Sequence, residues 1–110
     1  MPTKEQLQAI VKELQVIMRI QDWEIVVEVL DGYKMAEESH YDNSGESRRS
    51  MRHKYARILI NKDHPYNEPD WYLTLIHELK HVQTTEFQYV LYGFLKQLED
   101  SPMKSLVQQQ

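Results

Sequence analysis

A chain of 110 residues is long enough for one compact core and too short for two ordinary domains, so a single domain over residues 1–110 is expected. Hydrophobic residues at 41% and charged ones at 27% give a globular balance, with no apolar run long enough to span a bilayer and no cysteine for a disulfide or thiolate metal site. Thirteen basic against seventeen acidic side chains leave a net charge of -4, which argues against affinity built on neutralising duplex phosphates.

The N-terminus, Met1-Pro2-Thr3-Lys4-Glu5-Gln6, is polar and lacks the apolar stretch of a secretory signal, so a cytoplasmic setting is expected. Over residues 3–19, Leu7, Ile10, Val11, Leu14, Ile17 and Met18 recur at helical spacing, and Thr3 with Gln6 forms a capping box. Trp23, Ile25, Val27 and Val29 then alternate with Glu24 and Glu28, the period of a half-buried strand that ends at Asp31-Gly32. Residues 37–50 are polar, with Asp42-Asn43-Ser44-Gly45 as the strongest turn signal, and read as a loop. Residues 53–61 read as a second strand paired with the first, with Tyr55, Arg57 and Leu59 on one side and Ala56, Ile58 and Ile60 on the other.

Pro65 and Pro69 lead into a helix predicted to start within residues 67–70, with Leu75, Ile76, Leu79 and Val82 as its buried stripe. Gln83-Thr84-Thr85 interrupts the pattern. A second helix resumes it from Glu86 through Phe87, Val90, Leu91, Phe94, Leu95 and Leu98, and the last dozen residues are expected to fray. The expected fold class is α+β, with an N-terminal helix, a small antiparallel sheet, a motif helix and a C-terminal helix.

His77-Glu78-Leu79-Lys80-His81 carries the chemistry. Histidines at i and i+4 project from one face of a helix a turn apart, so both imidazoles can reach one tetrahedral zinc. Glu78 lies beside them, placed to touch a water on that metal without replacing a ligand. Zinc lowers the pKa of such a water from 15.7 toward roughly 7, and Glu78 can accept its proton as it attacks a carbonyl. The competing reading is a pair of ordinary histidines beside a solvated charge. A catalytic zinc takes a third protein ligand. Glu86 is the first candidate, provided the helix breaks at residues 83–85, although an acid in a first helical turn is also favoured by the helix dipole. Glu99 and Asp100 come second, and His64 on the preceding loop third. Tyr89 and Tyr92 could stabilise an oxyanion but are more readily packing residues. Trp71 and Tyr72, opening an amphipathic helix, read as core or its rim.

The order helix, strand, strand, then H-E-L-K-H on a helix resembles the zincin superfamily of metallopeptidases, particularly its compact SprT-like and phage or prophage-encoded members. The resemblance spans residues 3–98, its specific part residues 71–81. It implies a Zn2+ cofactor, peptide-bond hydrolysis on a peptide or protein substrate, and a cleft-edge strand that pairs with an extended peptide, here residues 55–61. The short stretch after His81 leaves no room for the lower subdomain of larger zincins, which favours a second reading, a binding or regulatory module on the same scaffold. A third reading, a nucleic-acid-associated protease, would use the basic stretch Arg48, Arg49, Arg52, Lys54 and Arg57 as anchor, and the acidic net charge opposes it.

Overall fold

The computed structural model describes residues 1–39 and 43–100. The first helix, α1 (Lys4–Ile17), starts at the expected capping box: the Gln6 amide donates to Thr3 Oγ1 at 3.2 Å and the Thr3 amide to Gln6 Oε1 at 2.9 Å. Leu7 and Val11 are fully buried on its inner face. The chain then reverses at Arg19, whose φ of 59° is left-handed. Buried Gln15 holds the reversal by donating to the carbonyls of Ile20 (3.0 Å) and Trp23 (2.8 Å).

Three strands follow, β1 (Glu24–Leu30), β2 (Gly45–Ser50) and β3 (Tyr55–Asn61), with α2 (Gly32–Ser39) between the first two. The strand order is β1-β3-β2, with β1 parallel and β2 antiparallel to β3. This topology corrects two expectations. The sheet is mixed rather than antiparallel, because residues 31–54 form the long crossover that a parallel pair requires. The polar stretch 37–50 is not wholly a loop: it contains the end of α2 and all of β2, while Asp42 of the expected turn lies outside the described residues. Period-two alternation along β3 puts Ala56, Ile58 and Ile60 into the main core with Ile25, Val27, Leu75, Leu79 and Val82. Leu59, on the opposite face, meets Leu30 and Met35 beneath α2.

The last element, α3 (Asn67–Glu99), has non-helical backbone angles at Glu68 and Asp70 and runs on from there as one helix. No break occurs at residues 83–85, so the expected motif helix and C-terminal helix are a single element. Leu75, Leu79 and Val82 seat its first half on the sheet, whereas Ile76, expected in the same buried stripe, is turned outward and 41% exposed. Buried Asn67 anchors its start, its amide donating to the carbonyls of Ser44 (2.7 Å) and Asn61 (2.8 Å) while its side-chain oxygen accepts from Thr74 Oγ1. The expected fraying from residue 99 falls beyond the described residues except at Glu99, which stays helical, and Asp100, its C-cap. Among the described residues no helix is long and apolar enough to cross a membrane.

On the α2 side of the sheet, Arg57 makes a bidentate pair with Glu28, at 3.1 Å through Nε and 2.7 Å through Nη2. This bond holds the Glu28 carboxyl below its ordinary value of 4.5. A depressed carboxylate stabilises the fold above its unfolded-state pKa and loses that contribution as pH falls through the folded value. The pair is partly exposed, so the effect is small, below about 1 kcal/mol. The urea midpoint should therefore drop more steeply between about pH 5 and pH 3 in the parent than in Glu28→Gln.

Candidate metal centre

On α3, His77 and His81 are four residues apart and point about 40° from each other round the helix. Their Nε2 atoms lie 3.1 Å apart. Two nitrogens bound at about 2.05 Å to a tetrahedral zinc are separated by roughly 3.3 Å, so the pair already has the bite of such an ion. The Glu78 carboxylate joins them: one ligand atom from each of the three residues lies within 4.8 Å of the others, and this is the one group of its kind among the described residues. Both imidazoles are exposed, whereas Glu78 is only 6% exposed. The donor set and its spacing fit a divalent metal ion.

Glu78 is buried by β2. The inner face of that strand, Gly45, Ser47 and Arg49, lies over α3, and Gly45 permits the approach because a Cβ there would sit 2.5 Å from Thr74 Cγ2 and 3.3 Å from Glu78 Cγ. Arg49 donates to the His81 carbonyl at 3.3 Å. Burial is the largest influence on the Glu78 carboxyl and raises its pKa. The positive potential of His81 and His77, a hydrogen bond from Ser47 and the charge of Arg49 pull the other way. A carboxylate with raised proton affinity beside a metal site is the property a general base needs. The contribution of β2 escaped the sequence because Gly45-Glu46-Ser47-Arg48-Arg49-Ser50 carries no apolar residue; a polar edge strand has no hydrophobic period to read.

Glu86 stands elsewhere. With α3 unbroken, five residues past His81 is about 500° of rotation, which turns Glu86 away from the histidine face. Its carboxylate instead accepts from Trp23 Nε1 at 2.9 Å and lies 3.5 Å from Lys54 Nζ, and Lys54 is paired in turn with Asp22. It fastens α3 to the turns that flank β1 and β3. Glu99 and Asp100 sit roughly 27 Å farther along the helix axis. His64 is nearer, sharing with Ser44, Tyr66, Thr74 and His77 a surface cleft of about 330 Å³. Its Nδ1 accepts from the Tyr66 amide at 3.1 Å, a hydrogen bond that a metal at this nitrogen would displace. Tyr89 and Tyr92 are exposed rather than packed, at 62% and 70%; of Trp71 and Tyr72, Trp71 packs half-buried against the core and Tyr72 is exposed.

No protein-family profile, curated protein or solved structure matches the chain, so geometry and chemistry alone speak to the function of the site.

Two substitutions separate the parts of this site. Gly45→Ala should cost about 1–3 kcal/mol in urea unfolding and weaken metal binding, because β2 must lift off Thr74 and Glu78. Glu86→Ala should lower stability by about 1–3 kcal/mol, leaving the Trp23 indole N–H and Lys54 without their acceptor, and keep metal stoichiometry at the parent level by mass spectrometry.

Proposed function

We propose that the chain is a zinc-dependent metallopeptidase of zincin type, in which His77 and His81 hold the metal and Glu78 is the general base. The observation that carries this reading is the metal-sized bite of the two Nε2 atoms, 3.1 Å, with a buried carboxylate beside it. When bound, a zinc ion supplies the Lewis acidity that activates water and polarises a peptide carbonyl near neutral pH. Glu78 takes up the proton of the attacking water and delivers it to the departing amine. Its burial serves both steps, since a carboxyl with raised proton affinity holds the proton between them.

An extended peptide needs a free strand edge. The strand first assigned to it, residues 55–61, is the central strand β3, paired on both sides. The far edge of β1 is occupied by Gln8, whose side chain donates to the Ile25 carbonyl at 2.7 Å and accepts from the Val27 amide at 3.1 Å, as a neighbouring strand would. The other outer strand is β2, and its inner face touches Glu78 and His81. We assign peptide docking to the outer edge of β2.

One feature favours a second reading, a metal-binding module without turnover: the Glu78 carboxylate lies close enough to both imidazoles to be a ligand itself. Glu78→Gln separates the two. Expected is loss of at least about 100-fold in peptide hydrolysis with near-stoichiometric zinc retained, whereas His81→Ala loses the metal. Zinc lost from Glu78→Gln would make Glu78 a ligand and select the second reading. Full hydrolysis by Glu78→Gln would remove it from the chemistry.

A further inference from the structure

The outward face of α3 is apolar along most of its length. Leu73, Ile76, Phe87, Val90, Leu91 and Phe94 fall within about 100° of the helix circumference, and each is 41% to 67% exposed. Together they offer roughly 600 Å² of apolar surface at the areas usual for such side chains. The largest patch on an ordinary monomer is about 300–600 Å². A standard interface takes about 800 Å² from each partner, of which about two-thirds is apolar in homodimers, so this face alone supplies what a stable dimer requires. The second half of α3 extends away from the sheet, with nothing within 4 Å of where a Gly93 side chain would be. Between Glu86 and Glu99 only Lys96 is charged.

The face is also symmetric along its own axis. Its two apolar clusters are separated by the polar stretch of Lys80, Gln83 and Thr84. A two-fold axis between residues 83 and 84 sets Leu73 of one copy against Phe94 of the other, Ile76 against Leu91, Gln83 against Thr84, and the aliphatic stem of Lys80 against the Phe87 ring. Apolar meets apolar at both ends, Gln83 meets Thr84 at the centre, and Val90 falls opposite His77 at the rim. Such self-complementarity is the property of an isologous contact, and an unrelated partner has no need of it. We propose that a second copy of this chain covers the face, with the two α3 helices packed antiparallel. His77 lies about 90° and His81 about 130° round the helix from the middle of the contact, so the histidine pair sits at its rim.

Sedimentation velocity on the full chain tests this. The parent is expected at twice the 13.2 kDa chain mass. Leu91→Glu combined with Phe94→Glu is expected to weaken dimerisation at least about 100-fold, while Gln88→Glu, off the face, leaves it unchanged. Far-ultraviolet circular dichroism at parent strength shows that the double variant is folded. The native chain has no cysteine, so mixing Leu73→Cys with Phe94→Cys chains under glutathione disulfide gives a second readout. A mixed disulfide in preference to either self-disulfide is expected of the antiparallel arrangement. A parent that sediments as a monomer at about 100 µM would overturn the proposal, leaving the face to a different protein or another segment of this chain. A dimer unaffected by the double glutamate variant would overturn it equally.

Discussion

The candidate metal centre depends on how closely β2 can approach α3, and the absent side chain at Gly45 sets that distance. With a Cβ at this position the strand would collide with Thr74, itself tied to Asn67 at the start of the helix. The contact does more than close the core. It places a carboxylate under a strand and two imidazoles beside it in solvent, all from five consecutive residues. Burial raises the proton affinity of Glu78 while the histidines keep the exposure an ion needs to enter. The same residues on a free helix would be three solvated side chains of ordinary acidity.

A second constraint is the continuity of α3. Beyond the non-helical residues Glu68 and Asp70, α3 runs unbroken over residues 71–99, about 44 Å, against a longest dimension of 54 Å for the molecule. A three-stranded sheet can cover only part of such a rod. Its first half has a buried stripe, and Glu86 is the clamp where the body ends, gripped by Trp23 and Lys54. Beyond it the apolar side chains face outward. The helix thus carries the histidine pair and the outward apolar face on one rigid element, about a third of a turn apart.

Polar side chains complete what a small apolar core leaves undone. Gln8 occupies the open edge of β1, which would otherwise present unpaired amides and carbonyls to any passing strand. Gln15 holds the reversal after α1, and Asn67 pins the loop before β2 to the end of β3. Each is an amide, able to donate and accept at once. None stands out in the sequence, since a glutamine on a helix ordinarily reads as a solvated position.

Local signals in the chain determined what local physics governs. The Thr3–Gln6 box, the alternation along β1 and β3, the stripe of Leu75, Leu79 and Val82, and the convergence of His77 and His81 all follow from helix and strand periods acting within a few residues. Tertiary structure decided the rest. Whether β1 and β3 run parallel depends on the path of residues 31–54, whose α2 and β2 have one strongly buried apolar residue, Met35, between them. Whether α3 breaks at residues 83–85 depends on the Glu86 clamp, because two threonines lower helix propensity too little to end a helix held at both sides. The fate of Glu86 turned on that same point. Its type and spacing suited a ligand, but helical phase directed it to Trp23, and phase is fixed only when the whole helix is seated on the sheet.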